Sequence, residues 1–347
     1  MSSTIPAATG PAQAITPRGR FFASQTFHFE TLRNAGYILS NCAELGEVLE
    51  TVKVIDESDV QSWYAAWKST ADRVVALAKR TQDPVSKGGA YLRASTYQRT
   101  AEFLIPPDDP KRPESFEKTG SYFLKGLDTL GVRYERITVP YGAGSLRALY
   151  FPGPRGAETK PLLMFGGGFD SILEEYYPNF AEAALKRGYS VLTYEGPGQG
   201  EALRKYGLTY TAEWEKPVKA VLDEVLHSHA KPSKIVLIGM SMGGYFAPRA
   251  AAFEERIDGI VDLIPKNSTS DNLRSSRRKW LRKELSDEED AVQRGANHRR
   301  AEADGGGPKG RGPGARGGRE RRYVVRLEEQ VRWARSERGA PAEGTRG

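Results

Sequence analysis

Four short apolar runs, at 161–165, 189–194, 234–238 and 259–264, constrain this chain more than any other feature of its sequence. They are rich in Val, Ile, Leu, Phe and Tyr, and helical patterns at about 177–187 and 211–227 separate the first three. Strands this apolar are buried on both faces, and strands joined through helices pair in parallel. The pattern therefore predicts an α/β fold, a mostly parallel sheet with helices on both faces, whose chemistry sits in loops at the strand C-termini. Two earlier runs, 132–141 and 145–151, flank the turn Gly142-Ala143-Gly144 and predict a β-hairpin.

Residues 21–131 follow a different period. Val60, Trp63, Tyr64, Trp67, Ala71, Val74, Val75 and Ala78 recur every three or four positions, after Ser58 and Gln61 at capping-box spacing. A helix packed on one face is expected there, with its aromatic residues in the core. Further helices are expected at about 88–104 and 114–130, separated by turns at Pro84 and around 105–113.

After Pro265 the composition changes abruptly. The 82 residues from 266 to 347 contain no Ile, Phe or Met, and 305–318 reads GGGPKGRGPGARGG. Of the chain's 51 Lys+Arg and 44 Asp+Glu, 21 and 13 fall in this stretch, so the overall charge of +7 divides into +8 after residue 265 and −1 before it. Such a segment buries too little apolar surface to offset chain entropy, and disorder is expected, with one short helix at 323–336. The break resembles what GC-rich DNA encodes when read in a non-native frame or through a retained intron. The division expected is a disordered 1–20, a helical lid region at 21–131, an incomplete α/β core at 132–265 and a basic Arg/Gly-rich tail at 266–347.

The single cysteine, Cys42, excludes a disulfide framework and any multi-cysteine zinc site. No metal or other cofactor is expected. Residues 1–22 lack an apolar signal-peptide core, and no run of eighteen apolar residues occurs, so a cytoplasmic protein without membrane attachment is expected. Neither Gly166-Gly167-Gly168 nor Gly196-Pro197-Gly198-Gln199-Gly200 fits a nucleotide-binding fingerprint.

The sequence Gly239-Met240-Ser241-Met242-Gly243 follows the run 234–238 and precedes a helical run, 244–253. Strand, G-x-S-x-G and helix together are the context of a nucleophile elbow, in which a strained serine projects Oγ from the top of the sheet. Acyl transfer then needs two N–H donors aimed at one oxygen, of which the residue after the nucleophile, Met242, supplies one. The Gly-rich loop after the run 161–165 is placed to supply the other, from Gly168 or Phe169. The acid and base of a triad follow the serine in this chain order. His28, His227 and His229 precede Ser241, and His298 lies in the tail; Asp258 and Asp262, the acids nearest a strand, read as strand-end residues. No acid or base is assigned from these.

The segments FFASQTFHFETLRNAGYI, ELGEVLETV, QSWYAAW, GGGFDSILEEYYP, YEGPGQGEALRKYG and GMSMGGYFAPRAA resemble fungal members of the α/β-hydrolase superfamily. The group resembled includes the pigment heptaketide hydrolase, the dihydropseudooxynicotine hydrolase and hydrolases of fusarin- and cytochalasan-type polyketide clusters. The likeness covers residues 21 to 265. It implies an N-terminal helical portion joined to a lid, a Ser-Asp-His triad with Ser241 as nucleophile, an oxyanion-side loop at 167–170, and action on ester, amide or C–C bonds next to carbonyls.

The function expected is a serine hydrolase acting on a polyketide or polyketide-peptide small molecule, by hydrolysis, C–C cleavage or ring closure. The alternative is an inactive relative that binds the same ligand. A remote alternative is nucleic-acid binding through the basic tail, which its 13 interleaved acidic residues disfavour. Assembly as a homo-oligomer is compatible with all three.

Overall fold

The change from a 3.6-residue to a two-residue period near Val132 divides a helical layer from a sheet in the computed structural model, which describes residues 20–263 and 323–324. The helical layer comprises α1 (Gln25–Gly36), α2 (Leu45–Val52), α3 (Val60–Arg80), α4 (Pro84–Phe103) and α5 (Lys111–Thr129). Acidic or hydroxyl side chains start four of them: Ser24 accepts from Phe27 N–H, Glu44 from Gly46 and Glu47, Asp59 from Gln61 and Asp83 from Ser86. Asp59, not Ser58, is thus the cap of α3, because its shorter reach to the N2 amide satisfies an orphan donor directly. Pro84 opens α4 instead of separating helices, since a proline at the first helical position lacks only an N–H the helix does not use.

The predicted aromatic core is present. Trp63 and Trp67 are fully buried, and Phe22, Phe27, Trp63, Trp67 and Tyr97 form a continuous chain of ring contacts. Trp63 Nε1 donates to the carbonyl of Thr100 at 2.7 Å, satisfying the one polar atom of the ring and tying α3 to α4.

The sheet contains β1 (Glu135–Tyr141), β2 (Gly144–Phe151), β3 (Leu162–Gly166), β4 (Val191–Tyr194), β5 (Ile235–Met240), β6 (Gly259–Leu263) and β7 (Tyr323–Val324), in the spatial order β1-β2-β4-β3-β5-β6-β7. β1 and β2 form the hairpin, β2 pairs antiparallel with β4, and the remaining pairs are parallel. Successive side chains alternate between two cores. Leu163, Phe165, Val236 and Ile238 face the N-terminal helices, whereas Leu162, Met164, Ile235 and Leu237 face α8 (Glu215–Ser228) and α9 (Gly243–Phe253). Two shorter helices, α6 (Glu182–Lys186) and α7 (Gly200–Tyr206), complete the described part, and α7 was not foreseen from sequence.

Tyr323 and Val324, which the sequence places at the start of a helix, form a strand instead. They pair in parallel with Gly259 and Ile260 on β6. The remainder of the 266–347 segment, His298 included, lies outside the described residues, as does 1–19. Among the described residues no helix is long and apolar enough to cross a membrane.

Replacing Trp63 with Ala is expected to lower the free energy of unfolding by about 3–5 kcal/mol, since it empties a fully buried site. Leu39→Ala, at a residue 90% exposed, is expected to change it by less than about 0.5 kcal/mol. Urea unfolding of both variants checks the contrast.

Candidate active site

Between the end of β5 at Met240 and the start of α9 at Gly243 only two residues remain to reverse the chain. Ser241 accomplishes this with φ at +59°, the left-handed region that costs a residue bearing Cβ about 1–2 kcal/mol. Its N–H donates to the Leu263 carbonyl at 3.0 Å, and its carbonyl accepts from Gly244 N–H at 2.9 Å, so β6 and the first helical turn hold the strain in place. The side chain is exposed.

The flanking glycines are sterically required. A Cβ on Gly239 would collide with the Gly243 carbonyl, and one on Gly243 would lie 2.7 Å from the carbonyl oxygens of both Gly166 and Gly167. The elbow and the loop after β3 are therefore in backbone-to-backbone contact. Gly168 completes the approach: a Cβ there would lie 2.9 Å from Ser241 Oγ and 3.0 Å from the Met242 nitrogen. The structure thus brings Ser241, Met242 and Gly168 to one point, with Phe169 beside them.

The two loop residues expected as donors differ. Gly168 N–H donates to Ser171 Oγ at 2.9 Å, which removes it from that role, whereas Phe169 N–H has no acceptor among the described residues. The Phe169 ring is 67% exposed and stacks on Tyr210, which continues into Trp214 and Phe246 as an aromatic wall. The Tyr210 hydroxyl donates to the Phe169 carbonyl. Burial, then the Asp170 charge, pushes the Tyr210 phenol up, so it stays protonated as a donor.

Gln199 was missed as a contributor, although its motif is among the segments with family likeness. Its Nε2 donates to the carbonyls of Gly167 at 3.0 Å and Gly168 at 2.7 Å, while its Oε1 accepts from Gly196 N–H at 2.8 Å. Two arginines of the helical layer were missed as well. Arg33 pairs with Asp170 at 2.5 Å and Glu175 at 2.8 Å, and Arg99 donates to the Asp170 carbonyl at 2.6 Å. Burial disfavours the ionised Asp170, yet Arg33 and Arg99 outweigh it and hold its carboxyl below the usual range. Glu30, buried beside the same arginines and facing Asp170 and Glu175, is pushed by burial up to about 7.

Among the described residues the three histidines are engaged or placed away from the elbow, and one acid, Asp262, lies beside it. His229 contacts Glu135 at 3.0 Å and the Tyr150 ring, at the far edge of the sheet. His28 accepts from Phe21 N–H at 3.2 Å, and His227 lies in the last turn of α8. Asp258 accepts from Ile235 N–H at 2.8 Å at the opposite end of β5, and Asp262 sits beside Gly239 on β6. Among the described residues no cluster of His, Cys, Asp and Glu could hold a metal ion.

A family model described as alpha/beta hydrolase matches residues 162–344. The chain is 38% identical to hydrolase acrC of Aspergillus aculeatus over 297 residues, covering 77% of this chain and 69% of that one. The chain belongs to the alpha/beta hydrolase family. Hydrolase LUC6 of a Fusarium species is 36% identical, over 76% of this chain and 66% of the relative. The 20-hydroxy-prefusarin hydrolase FUS2 of Gibberella moniliformis is also 36% identical, over 71% and 63%. Among solved structures, the 2,6-dihydroxy-pseudo-oxynicotine hydrolase shares the fold with a TM-score of 0.56 at 23% identity, over 66% of this chain and 64% of that one. The chain spans about two thirds of the length of the curated relatives it matches. The alpha/beta hydrolase match runs to residue 344, which corrects the expectation that likeness ends at 265.

Two outcomes are expected. Ser241→Gly should be more stable than Ser241→Ala by about 1 kcal/mol, since glycine adopts a positive φ without steric cost; thermal unfolding measures the difference. Glu30 gains a proton on folding, so its contribution is full below about pH 4.5 and is lost as pH rises through about 7. Glu30→Gln should flatten this dependence, removing up to about 3 kcal/mol of stability loss between pH 5 and 8, as read from urea midpoints.

Proposed function

We propose that this chain is a serine-nucleophile hydrolase acting on a polyketide or polyketide-peptide small molecule. The observation that supports this best is Ser241 at φ +59° on a strand-to-helix turn, with Gly168 packed against both its Oγ and the Met242 nitrogen. In the proposed reaction Ser241 Oγ adds to a substrate carbonyl as its proton passes to a base. Met242 N–H and Phe169 N–H hold the oxygen that gains charge. The leaving group departs with a proton, and water or a nucleophile within the substrate then takes the acyl group, which gives hydrolysis or ring closure.

The substrate class rests on relatives such as the 20-hydroxy-prefusarin hydrolase, and the exposed Phe169 with its aromatic neighbours suits a large apolar ligand. The base is proposed to come from the chain after Ser241, in the order the family uses, where His298 is the one histidine. A second reading, a relative that binds the ligand without turnover, is favoured by the engagement of His28 and His229 elsewhere. No cofactor is invoked in either.

A fluorophosphonate probe is expected to label the full-length chain at Ser241 and to leave Ser241→Ala unlabelled. Gly168→Ala should slow labelling at least about 100-fold, because its methyl would occupy the point facing Oγ and the Met242 N–H. Undiminished labelling of that variant would sink the oxyanion assignment. Failure of the wild-type chain to react would favour the binding reading, and His298→Ala tests the base.

A further inference from the structure

Around Phe169 N–H, the carbonyls of residues 167 to 170 are held by side chains from other parts of the fold, and the Gly168 N–H by Ser171 of the loop itself. Gln199, after β4, holds the Gly167 and Gly168 carbonyls, and Ser171 Oγ takes the Gly168 N–H. Tyr210, before α8, holds the Phe169 carbonyl. The next residue, Asp170, is gripped by the helical layer: its carbonyl by Arg99 of α4 at 2.6 Å and its carboxylate by Arg33 of α1 at 2.5 Å. Glu175 joins the two arginines, 2.8 Å from Arg33 and 3.4 Å from Arg99.

We propose that Arg33 and Arg99 are positioning residues that lock Asp170 and thereby fix the Phe169 N–H beside Ser241, so that the N-terminal helices complete the oxyanion hole. The proposal rests on the serine-nucleophile reading above. Packing alone does not account for the arrangement. Two buried guanidinium groups carry a desolvation cost that apolar side chains of similar volume would avoid, whereas a charge fork fixes geometry. Arg33 uses the whole fork: Nε faces Tyr37 at 3.2 Å, one terminal nitrogen Asp170 and the other Glu175. The contact made by Arg99 is to the backbone itself, at the carbonyl two peptide units on from the proposed donor. Lysine, a single point charge, cannot reproduce either arrangement.

The test uses the full-length chain with Arg33→Lys, Asp170→Asn and Tyr210→Phe. Tyr210→Phe keeps the stacked ring and deletes only the hydroxyl, so it stays informative where a charge variant fails to fold. Hydrogen exchange of the segment 166–171 is measured first. It should quicken about tenfold or more in each folded variant, and exchange at the wild-type rate overturns the proposal. The fluorophosphonate labelling rate and the kinetics with p-nitrophenyl butyrate follow. The expected result is a fall of about 10- to 100-fold in labelling and kcat with KM changed less than about threefold, the signature of a donor used in the transition state. Variants that lose thermal stability but keep kcat show a merely structural pairing and overturn the proposal. A wild-type chain that is not labelled at Ser241 overturns the serine reading and the catalytic role of the clamp together. Labelled wild type with unaltered variants overturns the clamp alone.

Discussion

The contact of one glycine-rich backbone with another organises this molecule. Because Gly243 meets the carbonyls of Gly166 and Gly167, and Gly168 meets Ser241, the turns leaving β5 and β3 approach more closely than any side chain would permit. Parallel strands β3 and β5 are neighbours in the sheet, in register from Leu162 and Ile235 to Gly166 and Gly239, so both turns emerge at the same height. The sheet thus delivers the exposed Ser241 hydroxyl and the Met242 nitrogen to the point that Gly168 faces, and the helix macrodipole of α9 adds partial positive charge there. Ser241 holds an unfavourable φ because this packing and the bond to Leu263 over-determine it.

Around that contact the polar groups form a supporting shell. Gln199 binds the loop after β3 to the turn after β4, and Glu195 carries the support further. Its carboxylate accepts from Arg147 and from the backbone of Leu173 and Glu201, which together outweigh burial and keep it ionised. Arg147 also holds Glu174, whose carboxyl is raised by burial against the attraction of the same arginine. One guanidinium between two buried carboxyls holds Glu195 below and leaves Glu174 above the usual carboxylate range, so the two titrate as a pair. Buried charge of this kind is a costly source of stability and a good source of unique geometry.

The helical layer is continuous with the sheet's core on one face, since Phe165, Val191 and Ile238 pack in the same cluster as Trp63, Trp67 and Tyr97. Its charged contacts are concentrated where α1 and α4 meet the loop after β3. The layer therefore serves as cover for apolar strands and as a brace for the loop beside Ser241. Its exposed apolar residues on α1 and α2, Phe29, Leu32, Leu45 and Leu49, lie outside both roles.

Local sequence specified strands β1 to β6, the burial of β3, β4 and β5, and the strand-to-helix turn, whereas β6, expected to be buried on both faces, is half-buried throughout. The features so specified depend on local period, on turn stereochemistry and on a pentapeptide whose residue types the geometry demands, and all are encoded within a few positions. Local sequence also determined the aromatic core of α3, because a stripe at helical spacing has one apolar face to bury. Tertiary structure alone decided which loop amide is available, since Gly168 and Phe169 differ only in what Ser171, three residues on, accepts. It alone brought Arg33 and Arg99 to Asp170, 137 and 71 residues away in the chain. Long-range pairing of charges leaves no periodic trace in sequence. The pairing of Tyr323 and Val324 with β6 is likewise a long-range contact that no local pattern announces.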